Sequence, residues 1–444
     1  MLARIAKAKE LEVFPFFRPF ENVGPRVRVH GGSYLNFMSN DYLGLSQHPD
    51  VIAAAVEGVK KYGTGLGSAR PQATSVRHNE LERRLAAWTS YDACAVFTTG
   101  YQSLVGTLQA FLDDSTTVIL DKLSHASIID GVLLAQGGAP DMEVRFFRHN
   151  NVEHLTQILE SCEHEKKMVV IEGLYSVDGD MAPVKRMLEV AKKHNAVLVL
   201  DDAHGLGALG ATGRGVLELE GIIAQADILI GTFSKSFGTT GGFVCADQNI
   251  IDYLKLTARA FCFSASLPLA QVEAAIAALN IIEKDYSLMR KLEENGAYFR
   301  KGLHSLGFDL GESSTHITPI FLNEEELTMK FAAYLFHGAG VMMMPFISPG
   351  VLKGKERLRC NVTAVHSKAD MAYTLEALAE IGHRLGVVPQ HRTTGASRFE
   401  QAYRLAQHKL GGLRNAGLPY VWHELTAGKR NAELERKAAA AKKS

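Results

Sequence analysis

The sequence predicts an α/β fold: a central, mostly parallel sheet with helices on both faces, followed by a smaller α+β domain. Three observations predict it. Short apolar runs alternate with longer segments of helical period through the middle of the chain, the pattern of parallel strands joined by crossover helices. Most of these runs end in polar residues, as strands do when the crevice outside their carboxyl ends receives a ligand. From about residue 286 the alternation gives way to a charged helical segment, short strand-like runs and another helix.

The expected strands are 93–97, 117–121, 143–147, 168–172, 196–201, 228–232 and 242–246. Between them, 78–88 sets Leu81, Leu85 and Trp88 on one helical face, and 184–193 forms a second amphipathic segment. A chain of 444 residues exceeds one ordinary core. The division that follows is an N-terminal arm over 1–50, a large α/β domain over 51–285, a small α+β domain over 286–388 and an extension over 389–444. Within the small domain, 286–306 reads as a helix, 318–322 and 357–362 as strands, and 368–385 as a helix. The stretch 387–395 reads as a linker. Beyond it come a helix with Phe399, Tyr403 and Leu410 in phase and a basic, alanine-rich end.

The 48 basic and 48 acidic residues cancel, so no global field draws the chain to nucleic acid or to an anionic membrane. Five scattered cysteines, odd in number and without ligand spacing, fit reduced core thiols and offer no metal site. No apolar run approaches the ~20 residues of a membrane span, and the N-terminus lacks a signal-type apolar stretch. These features predict a soluble, cytoplasmic protein. Peripheral contact with an inner membrane rests on the basic segment 429–443, which reads more simply as a solvated helix and frayed end.

Lys235 lies in Gly231-Thr232-Phe233-Ser234-Lys235-Ser236-Phe237-Gly238, directly after the apolar run 228–230. An amine at the end of a buried strand, among small and hydroxyl residues, is placed to condense with an aldehyde. Alone, it also reads as a solvated strand-end lysine. Asp201 ends the run Val197-Leu198-Val199-Leu200, where a buried carboxylate needs a cation. The protonated ring nitrogen of pyridoxal phosphate is such a cation, and His204 could then bond the ring hydroxyl. By themselves Asp201 and His204 read as a turn cap and a surface histidine; the lysine motif one strand later favours a shared crevice.

His125, in Ser124-His125-Ala126-Ser127, could stack on the ring or be plain polar surface. Thr99-Gly100-Tyr101 joins a strand to an apolar helix, the geometry that aims free N–H groups at a phosphate, though such turns are common. Ser264 most simply caps the helix after Pro268. Arg359 could clamp a carboxylate bidentately or face solvent. The glycine-rich 63–70 follows a helix rather than a strand, which makes it no dinucleotide fingerprint but a mobile loop at a site edge.

Asn40-Asp41-Tyr42-Leu43-Gly44, Ser124-His125-Ala126-Ser127, Asp201-Asp202-Ala203-His204, Thr232-Phe233-Ser234-Lys235 and the Arg359 region stand in the order and spacing of one family. Over roughly residues 30–388 the chain resembles the α-oxoamine synthases, pyridoxal 5'-phosphate enzymes of aminotransferase-like fold type I. The resemblance implies Lys235 as the cofactor-bearing lysine, Asp201 on the ring nitrogen, His204 on the ring oxygen and His125 over the ring. It implies Gly100, Tyr101, Thr232 and Ser234 around the phosphate, and Ser264 reaching it from the neighbouring subunit of a homodimer with shared active sites. It further implies Arg359 on the amino-acid carboxylate, with Asn40 and Tyr42 on the substrate side.

Within the family, Arg148-His149-Asn150, the stretch 172–180 and Phe263-Ser264-Ala265-Ser266 look most like the bacterial serine palmitoyltransferase branch. That branch implies decarboxylative condensation of L-serine with a long-chain acyl thioester, carried by coenzyme A or acyl carrier protein, to 3-ketosphinganine. Rival readings are other α-oxoamine synthases (8-amino-7-oxononanoate synthase, an aminoketobutyrate ligase, a cysteate acyltransferase), a silent partner subunit, or a plain aminotransferase. The chain departs from the family at Asp202, where a glutamate is usual, at Leu66-Gly67-Ser68, and at Gln102-Ser103-Leu104.

Overall fold

The computed structural model describes residues 15–389. They form two compact units, a larger one of residues 43–176 and 181–290 and a smaller one of residues 15–42, 177–180 and 291–389. In chain order the strands are β1 (Arg26–Val29), β2 (Gly32–Asn36), β3 (Ala93–Phe97), β4 (Thr116–Asp121), β5 (Glu143–Phe147), β6 (Lys166–Glu172) and β7 (Ala196–Asp201). Then follow β8 (Ile228–Thr232), β9 (Gly242–Ala246), β10 (Ile317–Phe321), β11 (Val341–Met342), β12 (Met344–Phe346) and β13 (Arg357–Asn361).

The larger unit is built on a seven-stranded sheet of order β3-β9-β8-β7-β6-β4-β5. Strands β5, β4, β6, β7 and β8 run parallel; β9 is antiparallel to both β8 and β3. Every residue of β4 and β8 is buried, which is why these strands read as unbroken apolar runs rather than as alternation. Val118, Leu120, Val170, Val199, Ile230 and Val244 share a core with Leu104, Leu108, Ile128 and Val132 from helices Gly100–Phe111 and Ala126–Gln136. Each such aliphatic side chain contributes about 1.5–3 kcal/mol on burial.

Five of the seven expected strands have the observed bounds, and the other two start earlier. Strand β6 opens with Lys166 and Lys167, which pair with Thr116 and Thr117 of β4 but are polar and so escape an apolar count. Helix Val76–Thr89 likewise begins before 78, because Ser75 Oγ accepts the Arg77 N–H at 3.2 Å and His78 Nδ1 accepts the Ser75 N–H at 3.3 Å.

In the smaller unit β10, β13 and β12 form an antiparallel sheet, and β1, β2 and β11 a mixed one, with β1 antiparallel and β11 parallel to β2. Strands β1 and β2 meet at His30-Gly31, both with positive φ (49° and 77°), the left-handed pair that a two-residue hairpin turn requires. Strands β11 and β12, of two and three residues, are too short to show a period in the sequence. Phe37, Phe299, Phe331, Leu358 and Met371 centre this unit's core, and Val388, read from sequence as linker, packs into it. Among the described residues no helix is long and apolar enough to cross a membrane. The linker beyond 389, the helix bearing Phe399 and the basic end lie outside the described residues.

Candidate active site

Within the larger unit, the carboxyl ends of β6, β7 and β8 and the turn after β3 open on one cavity of about 290 Å³. Gly100, Tyr101, His125, Asp201, His204, Thr232, Ser234 and Lys235 all line it. So do Thr99, Ser127, Glu172 and Thr240, which sequence reasoning had not singled out as site residues.

One end is a cradle for an anion. Thr99 caps helix Gly100–Phe111, its Oγ1 accepting the Gln102 N–H at 3.1 Å, so the first amides of the helix point outward. A Cβ on Gly100 would sit 2.9 Å from Thr232 Oγ1, and one on Gly242 would sit 2.6 Å from Gly100 Cα. Only glycines allow this helix end to approach the ends of β8 and β9 so closely. The Thr232 and Ser234 hydroxyls, 2.9 Å apart, complete the cradle. Amides, hydroxyls and a helix dipole converging on one point suit a phosphate group.

At the other end stand the ionisable groups. Asp201, only 6% exposed, closes β7, and its Oδ1 accepts the Ala203 N–H at 3.0 Å. His204 is buried nearby. His125 caps helix Ala126–Gln136; its Nδ1 lies 2.7 Å from Ser127 Oγ, and its main-chain N–H donates to Glu172 Oε1 at 2.7 Å. Burial, and then the Asp201 charge, push the Glu172 carboxyl well above the usual carboxylate range. Asp202, the departure from the family's glutamate, is fully buried beside Gly173, Gly205 and Gly215, where any Cβ would collide with its carboxylate. Burial raises it to about 8, although its Oδ2 accepts the Val216 N–H at 2.8 Å.

Three site residues read from sequence belong to the smaller unit. Asn361 Nδ2 donates to Asn40 Oδ1 at 2.8 Å, and the Tyr42 ring meets His316 edge-on at 4.1 Å between centroids. Arg359, on β13, carries its guanidinium 5.0 Å over the Phe346 ring and acts electrostatically on Tyr42. Burial nevertheless holds the Tyr42 phenol above its ordinary value, so it stays protonated. Ser264 is not part of the cavity lining of its own chain: its Oγ accepts from Gln102 Nε2 at 2.9 Å. The unusual Gln102 is thus tied to Ser264. The 63–70 loop also differs from expectation at its far end. Arg70 is buried against Glu82 at 2.8 Å, and Ser266 N–H donates to Ser68 O at 3.0 Å, so this end is pinned to the core rather than free.

Comparison with known proteins places this geometry. Residues 33–378 match the family described as aminotransferase class I and II. An 8-amino-7-oxononanoate synthase of Thermoanaerobacter pseudethanolicus is 38% identical over 368 residues, 82% of this chain and 92% of the relative. Its counterpart in Geobacter metallireducens is 39% identical over 82% of this chain and 93% of the relative. The chain is an α-oxoamine synthase of the class I and II aminotransferase family. A serine palmitoyltransferase of S. paucimobilis, solved with pyridoxal phosphate and myriocin, superposes on this α-oxoamine synthase with a TM-score of 0.83 and 33% identity, covering 87% and 98% of the two chains. That of Sphingomonas wittichii gives 0.82 and 32% over the same shares.

The fold is therefore that of the aminotransferase-like pyridoxal-phosphate enzymes, and this α-oxoamine synthase depends on that cofactor. The residues present fit it. The cavity joins an anion cradle, a strand-end carboxylate and an amine, which is what a phosphate, a pyridinium nitrogen and an aldehyde on one ring need.

Proposed function

We propose that this α-oxoamine synthase condenses L-serine with a long-chain acyl thioester, releasing the thiol and carbon dioxide and forming 3-ketosphinganine. The observation that carries the reaction class is the shared lining of Lys235, Asp201, His204 and His125. Pyridoxal phosphate, when bound, supplies an electrophilic carbon for the amine and a ring that takes up the electrons left at Cα.

The chain's own residues do the rest. Lys235 Nζ would anchor the cofactor and, as a free amine, would take the Cα proton. Asp201 is the anion that keeps the ring nitrogen protonated, and His204 bonds the ring oxygen. The Gly100 turn, Tyr101, Thr232 and Ser234 hold the phosphate. His125, held by Ser127, would stack on the ring and orient the incoming acyl group. Arg359 is assigned the amino-acid carboxylate, which a guanidinium fork matches bidentately, with Asn40 and Tyr42 setting its surroundings. In a homodimer, Ser264 is assigned to the phosphate of the neighbouring site.

Serine as the donor is supported by the likeness to serine palmitoyltransferases across 87% of the chain. A second reading, L-alanine with a shorter acyl thioester, is favoured by the 36–39% identity to 8-amino-7-oxononanoate synthases. Titrating the holoenzyme separately with serine, alanine, glycine and threonine while recording its visible spectrum tests the choice. Under the first reading serine perturbs the band selectively, and palmitoyl thioester is then consumed with release of carbon dioxide. Selective perturbation by alanine would replace serine with the second reading.

A further inference from the structure

Glu172 is a buried acid that this mechanism does not use. It ends β6 directly opposite Asp201, which ends β7, and both side chains line the cavity. Partners across parallel strands point to the same face, so two carboxyls stand side by side, 3% and 6% exposed. The charged groups acting on Glu172 are Asp201 on β7, Asp121 on β4 and Lys235 after β8; the His125 N–H reaches it from the helix start. One cation faces three carboxyls.

A like charge beside it in a buried site disfavours the ionised form of Glu172. By the proposed placement of the cofactor, Asp201 has the pyridinium as its counter-ion. Glu172 instead has its Oε1 on the main-chain N–H of His125 at 2.7 Å. Burial drives it the same way, well above the usual carboxylate range.

We propose that Glu172 is an uncharged positioning residue: it holds the main chain of His125, and thereby the stacking imidazole, and leaves Asp201 the single anion presented to the cofactor ring. This inference rests on the placement of pyridoxal phosphate in this cavity. Its physical content is that Glu172 matters as a shape and an acceptor, not as a charge. Glutamine keeps both, since its amide oxygen accepts from His125 while its NH2 replaces the carboxyl O–H.

The experiment compares holoenzymes of the wild type, Glu172→Gln, Glu172→Asp and Glu172→Ala. Three quantities are read: the affinity for pyridoxal phosphate, the circular dichroism of its visible band, and the pH midpoint of that band. Glu172→Gln is expected to keep cofactor affinity within about twofold, the dichroic band, and the midpoint within about 0.3 pH units. Glu172→Ala and Glu172→Asp leave the His125 N–H without its acceptor. They are expected to weaken cofactor binding about tenfold and to diminish the dichroism. Should the alanine variant not fold, the aspartate variant carries that arm.

A midpoint moved by a full unit or more in Glu172→Gln would overturn the proposal, because it would show that Glu172 carries charge. Unchanged dichroism and affinity in the aspartate variant would overturn it from the other side. Failure of the underlying reading looks different: Lys235→Ala would then keep the wild-type visible band, whatever stands at position 172.

Discussion

The larger unit gathers four buried carboxyls at adjacent strand ends, whereas in the smaller unit buried Asn295, Asn361 and His366 are settled largely on main chain. In the first, Asp121, Glu172, Asp201 and Asp202 crowd the ends of adjacent parallel strands, and Glu82 is buried in an ion pair. In the second, Asn295 Nδ2 donates to Thr363 O and His366 O, each at 3.0 Å, while His366 bonds Asn36 O at 3.2 Å and accepts the Thr363 N–H at 3.0 Å. Asn361 Nδ2 reaches Ser39 O and Asn40 Oδ1. The contrast separates two uses of buried polarity. Neutral groups bonded to main chain fix loops at little cost, but buried carboxyls are unfavourable unless a cation or proton accompanies them, and they collect where chemistry needs them.

Breaking the larger unit's chemistry gives the largest effect. Lys235→Ala removes both the anchoring amine and the proton acceptor, so turnover is expected to fall by at least about 10²–10⁴-fold in a carbon dioxide release assay, with the fold intact by circular dichroism. Next is the buried ion pair. Arg70 and Glu82 lie 2.8 Å apart with both side chains almost wholly buried, and Arg70→Ala leaves Glu82 Oε1 with the Val96 N–H in place of its guanidinium. Chemical denaturation is expected to show a loss of about 3–5 kcal/mol.

The smaller unit should answer more mildly to the corresponding cut. Asn295→Ala takes the Nδ2 donor from two buried carbonyls, of which Thr363 O keeps the His366 N–H, for an expected loss of about 1–3 kcal/mol. A loss in Asn295→Ala as large as that in Arg70→Ala would remove the distinction between charged and neutral buried polarity.

The pH dependence of stability differs in sign between the units. Burial raises Asp202 from 3.8 to about 8, so the folded state holds this proton more tightly than the unfolded chain. Its stabilising contribution is full below about pH 4 and is lost as pH rises through about 8. Asp202→Asn should flatten the decline of stability over that window. In the smaller unit burial lowers His316 to about 3 and His366 to about 4 from 6.5, so their contribution is present above about pH 6.5 and lost as pH falls through those values. His316→Gln should flatten the acid limb instead. His78 of the larger unit, lowered to about 4 by burial, adds an acid limb there, so variant-minus-wild-type curves rather than whole profiles make the comparison.

Much of the sheet was legible because β3, β7, β8 and β9 are apolar runs bounded by turn formers, and a strand buried on both faces has few other ways to read. Strands β1, β2, β11 and β12 were not, since short strands are fixed by their partners rather than by composition. The eight sequence-derived residues of the cavity were found because each belongs to a local motif at a strand end or helix start. Glu172 met the same rule as Asp201, a carboxylate ending an apolar run, and could have been found by applying it once more.

The sequence by itself determined the lysine, the acid and the histidines of the site and the order in which the strands deliver them, because strand ends and glycine turns are written locally. Only the tertiary structure decided that Glu172 stands opposite Asp201, that His125 hangs from Glu172 by its main-chain N–H, and that Gln102 holds Ser264. It also decided that Arg70 is buried rather than at the free end of a loop. Those facts depend on strand register and on pairs separated by many residues, where burial and neighbouring charge, not residue type, set what a side chain can do.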